Sequence, residues 1–499
     1  MIVSSHVAEN AGPLYTRLAA WGQEHVLRWW SDLAPRQRHQ LVRQIEAIDL
    51  ELVQRVCQQS ESSAVGQTPP PQAIRPAGAI PLAASAAEAE DQEQIAQRGR
   101  QALRAGQVAV VLVAGGQGTR LGHAGPKGTF PIGPVSGKSL FQLHAEKVLA
   151  LGRQYDVRVP LYVMTSPDND AASRDFFADH ACFGLDQDQV VFFRQGTMPA
   201  LDRQTGRLLL DAKHRIATSP NGHGGVVKAL VDGGHLDDMH RQRVEYIFYY
   251  QVDNPLVKVA DPTFLGHHLR AEAEMSLKVV RKLRPEEKLG VVVEVDGHLQ
   301  MIEYSDLPAE VAQRRLPDGG LEIWTGSIAV HIFNVSFLRR LAAGGTTLPY
   351  HQALKNVPYL NQQGRRVTPE EPNAVKCEMF VFDALPLARH ALVVETDRRE
   401  EFEPLKNAIG ENSPETVRQA MSDLYAGWLD RAGVQVTRQR GGSVAFPLEI
   451  SPLLDLNRMD IRARLSERTP VNGPMLLEKR NGTGVTITTT VKAESEETC

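Results

Sequence analysis

One stretch, residues 108–127, restricts more than any other what this chain can fold into. It begins with the apolar, β-branched run VAVVLVA, which predicts a fully buried strand, and passes directly into the glycine-rich turn GGQGTRLGHAGPK. Glycines let a backbone approach a ligand closely and point its N–H groups at anionic oxygens. Arg120 and Lys127 add two cations to the same turn. The combination predicts a loop that binds a polyphosphate.

Two familiar phosphate-binding loops are excluded by the spacing of these residues. A Walker loop ends in Gly-Lys-Ser/Thr, whereas Lys127 is followed here by Gly128. A dinucleotide fingerprint needs G-x-G-x-x-G, but Gly116, Gly118 and Gly122 are spaced G-x-G-x-x-x-G. The alternative is an ordinary glycine-rich turn without a ligand. It explains the glycines but not the two cations, so we favour phosphate binding.

Composition narrows the class of protein. The chain has 499 residues, of which 42% are hydrophobic and 23% charged, with a net charge of −4, which predicts two or three globular domains. Clustered basic charge and apolar runs of about 20 residues do not occur, so neither nucleic acid nor a membrane is an expected partner. The N-terminus does not resemble a secretory signal. The four cysteines lie far apart without a CxxC pair, which predicts a reducing, cytoplasmic location rather than a zinc site or a disulfide framework.

Changes in composition and periodicity predict five segments along the chain. They are an N-terminal helical lobe (1–66), a Pro/Ala-rich linker (67–90), a catalytic nucleotide-binding core (91–390), a C-terminal α+β domain (391–480) and a disordered tail (481–499).

Strands and helices alternate after the glycine-rich turn. The apolar runs at 161–166 and about 190–196 are separated by helical stretches, which favours parallel strands joined by right-handed crossovers. The predicted fold class is α/β, with a mixed, mostly parallel, doubly wound nucleotide-binding sheet and small N- and C-terminal domains. Ligands of such sheets bind outside the carboxyl ends of the strands, where the glycine-rich turn lies.

Two later stretches bring further residues to that edge. The sequence PNGHGG at 220–225 is a second glycine-rich loop, and YIFYYQVDNP at 246–255 is a buried strand that ends near Asp253. A carboxylate at this place is suited to a Mg²⁺ ion that bridges phosphates, although a turn or helix-capping role is the alternative. An Asp-Gly hairpin follows, and its second strand ends near Glu303 and Tyr304.

These motifs resemble those of the uridine-diphosphate-sugar pyrophosphorylases, and most closely the eukaryotic-type UDP-N-acetylhexosamine pyrophosphorylases. LVAGGQGTRLGHAGPKG is similar to the family's glycine-loop signature, and FRQGTMPAL, GHGGVVKAL, YYQVDNPLVKVADPTFLG, PNAVKCEMFVFD and EFEPLKNA follow in the family's order. The similarity covers about residues 15–460. It implies a nucleotide-diphospho-sugar transferase fold that makes a UDP-sugar and pyrophosphate from UTP and a sugar 1-phosphate with the help of Mg²⁺.

The resemblance also implies roles for single residues. The catalytic residues would be Arg120, Lys127 and Lys406. The nucleotide would be bound by Ala114, Gly115, Gly116, Lys127, Gln195, Gly222, Asp253 and Lys376, of which Gln195 and Gly222 recognise uracil and Asp253 also holds the metal. The sugar would contact His223, Gly290, Glu303, Tyr304 and Ser327.

Three positions depart from the family's pattern. His223 and Ser327 each stand where the amino-sugar enzymes usually have Asn, and Met379 stands where they have a lysine. A histidine in a GHG loop instead resembles the UDP-glucose enzymes. Because the phosphate-binding residues are kept, uridylyl transfer is predicted, with N-acetylglucosamine 1-phosphate as the sugar substrate. Glucose 1-phosphate, or several sugars, is the alternative.

Two other classes of protein are weighed against this prediction. A nucleotide-sugar-binding protein without activity is disfavoured because the whole set of charged residues is present: Arg120, Lys127, Asp253, Lys376 and Lys406. A glycosyltransferase is expected to carry an Asp-x-Asp metal motif, whereas Asp253 is followed by Asn254 and Pro255. We expect a monomer or a weak homo-oligomer.

Overall fold

The computed structural model describes residues 12–62, 69–344, 348–454, 471–479 and 485–489. Its contacts divide the chain into two compact units, each assembled from three separate stretches. The first unit comprises Met1–Pro69, Gln195–Ala229 and Thr346–Ala384. The second comprises Pro70–Arg194, Leu230–Gly345 and Leu385–Cys499. This grouping is not that of the five predicted segments, whose status as separate domains stays a prediction.

The helices of the described ranges are numbered in chain order. They are α1 (Gly12–Ala19), α2 (Pro35–Ala47), α3 (Leu50–Ser62), α4 (Ala86–Arg104), α5 (Leu140–Tyr155), α6 (Asp170–Asp179), α7 (Gly225–Asp232), α8 (His235–Arg241), α9 (Pro262–Arg270), α10 (Ala309–Ala312), α11 (Val335–Ala343), α12 (Arg398–Glu401) and α13 (Pro414–Arg431). Among them, none is both long and apolar enough to cross a membrane.

The strands of the described ranges are numbered in the same way. They are β1 (Arg75–Pro76), β2 (Val108–Val113), β3 (Leu161–Thr165), β4 (Val190–Arg194), β5 (Thr197–Pro199), β6 (Leu201–Asp202), β7 (Leu210–Ala212), β8 (Arg215–Ile216), β9 (Thr218–Pro220), β10 (Tyr246–Gln251), β11 (Met275–Arg281), β12 (Val291–Val295), β13 (His298–Ile302), β14 (Thr325–Asn334), β15 (Tyr350–Lys355), β16 (Tyr359–Leu360), β17 (Arg366–Val367), β18 (Ala374–Met379), β19 (Ala391–Glu395), β20 (Leu448–Ile450), β21 (Met475–Lys479) and β22 (Val485–Thr489).

The first unit joins the N-terminal helices to small antiparallel sheets. The predicted helical character of the N-terminal region is confirmed by α1, α2 and α3. Its apolar side chains, among them Leu18, Trp30 and Leu41, share one core with Leu201 and Leu208 from the middle of the chain. Burial of this apolar surface therefore holds the N-terminal helices against residues that follow them by more than a hundred positions.

The second unit is built around a mixed sheet of ten strands. Its main order is β1-β12-β14-β10-β2-β3-β4, with β11, β13 and β19 attached to the sides. The run β10-β2-β3-β4 is parallel, and β14 is antiparallel to β10. The predicted fold class, a mixed α/β sheet with a parallel nucleotide-binding half, is confirmed.

Local sequence explains how the central part of this sheet forms. Val110 and Leu112 on β2 are fully buried, as expected for a strand covered on both faces. Ser139 caps α5 by accepting a 3.1 Å hydrogen bond from the N–H of Gln142. Asp296 and Gly297 have positive φ angles of 51° and 79°, so the predicted hairpin between β12 and β13 turns at those two residues.

Four local predictions differ from the structure. Part of the predicted 67–90 linker joins the large sheet, because β1 pairs with β12 and Ile80 exchanges backbone hydrogen bonds with the β19 segment. The sequence EMFVFD predicts a strand at 378–383, but β18 ends at Met379, and a 3-10 helix, Val381–Leu387, follows it. The sequence predicts a helix from Asp168 through Phe177, whereas α6 begins at Asp170. Strand β22 pairs with β21 inside the predicted disordered tail, whose other residues lie outside the described ranges.

Candidate active site

The glycine-rich turn, residues 115–127, folds back on itself beyond the carboxyl end of β2. The N–H of Gly118 donates to the carbonyl of Gly125 over 2.9 Å, and the N–H of Lys127 donates to the carbonyl of Gly116 over 3.0 Å. Gly122 and Gly125 have positive φ angles of 68° and 122°, which an L side chain adopts only under strain. The glycines are therefore needed for the shape of this turn, which leaves Gly116 exposed.

Asn169 fixes the first part of this turn, and the sequence analysis missed it. Its side-chain amide donates to the carbonyls of Ala114 (2.8 Å) and Gly116 (3.2 Å), while its oxygen accepts from the N–H of Ser166 (2.8 Å). The residue is almost fully buried. The rule that polar residues gather at the carboxyl ends of parallel strands could have identified it, because Asn169 follows β3.

Lys127 and Asp253 meet at the carboxyl ends of two neighbouring parallel strands. The Lys127 ammonium lies 3.7 Å from the Asp253 carboxylate and donates to the Leu405 carbonyl over 3.1 Å. Strand β10 pairs with β2 in register, which brings Asp253 beside the glycine-rich turn. The lysine side chain is only 18% exposed and that of the aspartate 13%. The pair is thus partly desolvated and held by backbone on both sides.

A third segment, residues 402–406, completes this group. The N–H of Leu405 donates to the Asp253 carbonyl over 2.8 Å, and the Asn254 amide donates to the Glu401 carbonyl over 2.7 Å. These bonds attach the segment to the end of β10 and place Lys406, which is exposed, next to the residue that Lys127 contacts. Three of the predicted phosphate-site residues, Lys127, Asp253 and Lys406, are therefore brought together.

Arg120 lies on a 3-10 turn, Thr119–Leu121, within the same glycine-rich turn. Its side chain is exposed. The fold thus presents this guanidinium to solvent from the loop that also carries Lys127.

Three of the predicted sugar-contacting residues also lie together. The N–H of Ser327 donates to the Gly290 carbonyl over 2.8 Å, and a Cβ at Gly290 would lie 3.2 Å from the Glu303 carboxylate. Tyr304 follows Glu303 and is 47% exposed. Ser327 precedes an irregularity of β14, where Ala329 has a φ of 56° and its N–H donates to the Ser327 hydroxyl over 3.3 Å. Such bulges redirect side chains at the margins of sheets.

Strand pairing relates this second group to the first. Strand β14 is antiparallel to β10, with Tyr249 opposite His331. Continued toward the start of β14, this register places Ser327 at the same end of the sheet as Asp253, which follows β10. The second unit therefore carries Lys127 and Asp253 of the predicted phosphate site and Ser327 of the predicted sugar site on one edge.

In the first unit, Gln195 and the second glycine-rich loop are joined through Asn221. Asn221 accepts a 2.7 Å hydrogen bond from the N–H of Met379 and donates its own N–H to the Gly196 carbonyl over 3.0 Å. Gly222 has a φ of 85°, and a Cβ there would lie 2.4 Å from the Met379 carbonyl oxygen. Met379 supports the loop through its backbone. This support therefore does not require the lysine side chain that the family usually has at this position.

This close packing gives a prediction about stability. We expect Gly222→Ala to lower the free energy of unfolding by about 3 kcal/mol, because the new methyl group meets both positive φ and backbone atoms of Met379. Gly137→Ala is the matched control, since its φ is 66° and its Cβ would meet no atom within 4 Å. We expect the control to lose only about 1 kcal/mol in urea unfolding. Equal losses for the two variants would contradict the proposed clash.

His223 is a neutral hydrogen-bonding residue in this loop. Its Nδ1 accepts from the N–H of Val381 over 3.3 Å, which leaves the proton on Nε2. Its ring lies against Phe380 and Phe382, with centroid separations of 5.4 and 5.8 Å. Burial, assisted by the nearby His351, lowers the pKa of His223 to about 4. The imidazole therefore offers an N–H rather than a positive charge at neutral pH.

Lys376 lies on β18, opposite Ala353 of β15, three residues before the Met379 contact. The strand thus connects it to the segment that supports the second glycine-rich loop. In the first unit, the structure places Gln195, Gly222, His223 and Lys376 on adjoining segments.

Known proteins resemble this chain in sequence over most of its length. The sequence model of the family described as UTP–glucose-1-phosphate uridylyltransferase matches residues 65–440. A human protein named UDP-N-acetylhexosamine pyrophosphorylase-like protein 1 is 37% identical over 93% of this chain and 96% of its own length. The UDP-N-acetylglucosamine pyrophosphorylase of Saccharomyces cerevisiae is 39% identical over 68% of this chain and 73% of its own.

A solved structure shares the fold. It is the uridine diphosphate N-acetylglucosamine pyrophosphorylase of Trypanosoma brucei in complex with an inhibitor. The two chains are 26% identical, superpose with a TM-score of 0.79, and match over 94% of this chain and 98% of the other.

Proposed function

Because the chain belongs to the UTP–glucose-1-phosphate uridylyltransferase family, we propose that it makes a UDP-sugar and pyrophosphate from UTP and N-acetylglucosamine 1-phosphate. The observation that carries this proposal is the meeting of Lys127, Asp253 and the Leu405–Lys406 segment beside the glycine-rich turn. The choice of sugar is supported by relatives at 37% and 39% identity whose names include N-acetylhexosamine or N-acetylglucosamine.

The reaction needs alignment and charge neutralisation more than it needs a base. The phosphate of the sugar is already a nucleophile, so its oxygen can attack the α-phosphorus of UTP directly and expel pyrophosphate. Two multiply charged anions repel each other as they approach, and cations on preorganised backbone reduce that repulsion. We assign this neutralisation of charge to Arg120, Lys127 and Lys406 in the second unit. We assign it also to Lys376, on the basis of the family resemblance.

The residues present fit a Mg²⁺ ion that enters with the nucleotide. Mg²⁺ usually keeps several waters and takes one or two protein carboxylates together with phosphate oxygens. Asp253 supplies one partly exposed carboxylate at the strand end, next to the turn whose N–H groups suit phosphates. When bound, the ion would neutralise charge on the phosphates. We propose Asp253 as its protein ligand.

A second candidate substrate is glucose 1-phosphate. The observations that favour it are the residues His223 and Ser327, which differ from the amino-sugar pattern. His223 offers a neutral N–H, and the hydroxyl of Ser327 is already a hydrogen-bond acceptor for Ala329. The short side chain of Ser327 can form fewer hydrogen bonds with an N-acetyl group than an Asn side chain could.

The test is pyrophosphate release from UTP and Mg²⁺ with a panel of sugar 1-phosphates. The panel contains glucose, galactose, N-acetylglucosamine and N-acetylgalactosamine 1-phosphates. We expect the highest kcat/KM with N-acetylglucosamine 1-phosphate. A preference for glucose 1-phosphate would select the second candidate, and no release with any sugar would contradict the proposed reaction.

Ser327 gives a prediction about specificity. We expect Ser327→Asn to raise the ratio of kcat/KM for N-acetylglucosamine 1-phosphate over glucose 1-phosphate by about tenfold, because an amide adds hydrogen bonds that a hydroxyl cannot make. Ser327→Thr is the control, since it keeps the hydroxyl beside the bulge. An unchanged ratio in Ser327→Asn would remove Ser327 from the sugar site.

We also propose that the protein works in the cytoplasm as a monomer or a weak homo-oligomer. The cysteine pattern, without a CxxC pair among its four members, supports a reducing compartment. Sedimentation of the purified protein over a range of concentrations tests the oligomeric state, and a stable dimer at nanomolar concentration would contradict it.

A further inference from the structure

The second unit contains a cavity that none of the candidate active-site residues lines. Its volume is about 130 Å³, and its walls come from α5, the segment Pro255–Pro262, Glu400 of α12, α13 and residues 450–452. Apolar side chains form most of the wall, among them Leu151, Leu424 and Trp428. For comparison, a cavity of about 150 Å³ in another protein holds one benzene molecule. The size and lining therefore suit a single ring.

A lysine in the wall, Lys147, distinguishes this cavity from a packing defect. The Nε1–H of Trp428 is buried and has no hydrogen-bond partner among the described residues. The Lys147 ammonium donates to the carbonyls of Pro255 and, over 2.9 Å, of Val257. Because the Trp428 nitrogen is closed off from the cavity, Lys147 is the donor in the wall on which ligand binding depends.

The charges around the cavity leave Lys147 without a carboxylate. Lys258 pairs with Glu400 over 2.7 Å, and Asp261 pairs with Lys278 over 2.7 Å. No ion pair within 4.0 Å involves Lys147 among the described residues. A ligand that enters this cavity therefore meets acids that are already paired and the Lys147 amine, which has no carboxylate within 4.0 Å among the described residues.

We propose that this cavity is a second ligand site, which takes a single-ring aromatic acid whose carboxylate faces Lys147 and whose ring lies among Tyr425, Trp428 and Leu424. The aromatic walls supply the contact area for the ring, since Tyr425 and Trp428 already form an edge-to-face pair 5.3 Å apart. The carboxylate supplies the counter-ion that Lys147 lacks. This site does not depend on the proposed reaction, because its occupancy is measured by binding.

The same segments that form the cavity also lead to the candidate active site. Pro255 lies two residues after Asp253, and Lys147 holds the carbonyls of this segment. Glu400, in the wall, precedes Glu401, whose carbonyl is bound by the Asn254 amide. A ligand that orders these two segments would therefore restrict the backbone that positions Asp253 and Lys406.

Titration of Lys147 gives the site a characteristic pH dependence. Burial, only partly opposed by Glu401, lowers the pKa of Lys147 to about 7. A bound carboxylate favours the charged amine, so binding takes up a proton above pH 7 and weakens as the pH rises further.

The other lining groups whose pKa values are altered have pKa values shifted away from neutral pH. Burial raises the pKa of Tyr155 and of Tyr425. Burial by itself would lower the pKa of Lys258, but Glu401, Asp261 and Glu400 raise it above the ordinary value. Burial by itself would raise the pKa of Asp261, but Lys278 and Lys258 lower it below the ordinary value. Proton uptake near neutral pH is therefore assigned to Lys147.

The experiment is titration calorimetry of the full chain with benzoate and with benzyl alcohol. We expect one benzoate site with a Kd of about 1 mM or tighter, and at least tenfold weaker binding of benzyl alcohol. At pH 8, the benzoate enthalpy should differ between phosphate and Tris buffers by the amount expected for proton uptake. Hydrogen exchange should slow in residues 255–262 and 398–405 when benzoate binds.

Three variants separate the proposal from weaker explanations. Lys147→Met should weaken benzoate at least tenfold and keep benzyl alcohol binding, which shows that the cavity is intact. Leu424→Trp fills the cavity and should abolish binding of both probes. Arg153→Met, which removes an exposed cation from the same helix outside the cavity, should change neither. Absence of benzoate binding, equal affinity for the two probes, or benzoate binding that survives Leu424→Trp would each overturn the proposal.

Discussion

Lys127→Ala is expected to turn over UTP and sugar 1-phosphate about 10²–10³ times more slowly than the unchanged protein, while it folds normally. The ammonium that it removes is held between the Asp253 carboxylate at 3.7 Å and the Leu405 carbonyl at 3.1 Å. In the proposed reaction, a cation in this position would neutralise phosphate charge without first reorganising solvent, so a water molecule that fills the space would replace it poorly. The loss should fall mainly on kcat if the contact strengthens as the α-phosphorus is attacked.

The matched control for this variant is Lys213→Ala. Lys213 pairs with Asp32 over 3.3 Å, but both side chains are about half exposed and belong to the other unit. We expect its kcat and kcat/KM to be unchanged within error. Circular dichroism and urea unfolding of both variants verify the fold. A Lys127→Ala protein with a rate near that of the unchanged protein would remove Lys127 from the phosphate site.

The largest effect on stability is expected at Lys278. This lysine of β11 is 2% exposed, and its ammonium lies 2.7 Å from both Asp261 and Glu401. Glu401 is 1% exposed and also accepts a 2.6 Å hydrogen bond from Thr396. Lys278→Met would leave two buried carboxylates with one fewer counter-ion, so we expect the free energy of unfolding to fall by about 3–5 kcal/mol.

A second substitution tests that explanation. Glu401→Gln in the Lys278→Met background removes one of the two charges that have lost a counter-ion, and we expect it to restore part of the lost stability. Lys213→Met is the control, because an exposed pair contributes about 0–1 kcal/mol. Urea unfolding measures all three. A loss below 1 kcal/mol for Lys278→Met would show that this cluster does not stabilise the fold.

The same cluster predicts how stability changes with acid. Burial opposes ionisation of Asp261, but Lys278 and Lys258 outweigh it and hold its pKa below the ordinary value. A carboxyl with a lowered pKa contributes stability above the pKa of the unfolded chain, and that contribution is lost as the pH falls below about 4.

Strand positions and the glycine-rich turn could be predicted closely because their signals are local. The apolar run of β2, the Ser139 cap of α5 and the Asp296-Gly297 hairpin depend on residues that are neighbours in sequence. The parallel arrangement followed from the alternation of strands and helices, and it placed Asp253 beside the glycine-rich turn. The candidate phosphate site was accessible from the sequence for this reason.

Predictions failed or were incomplete where a long-range backbone contact decides the structure. The prolines at 69–71 and 76 suggested a linker. Arg75 and Pro76 nevertheless pair with β12 through backbone groups, which do not depend on the type of side chain. The strand predicted through 383 ends at Met379 because backbone groups of Met379 bind Asn221 and Gly224. Side-chain type does not reveal contacts that are made by the backbone.

The sequence by itself determined the fold class, the glycine-rich turn and the kinds of residues offered to a nucleotide, since these depend on periodicity and residue chemistry. Only the tertiary structure decided which of them meet. Lys127 contacts the Leu405 carbonyl across 278 positions, and Asn169 clamps a turn more than 50 residues before it. The cavity beside Lys147 likewise exists only where five separate stretches pack. Such contacts depend on how distant segments pack around a shared core, which no local pattern records.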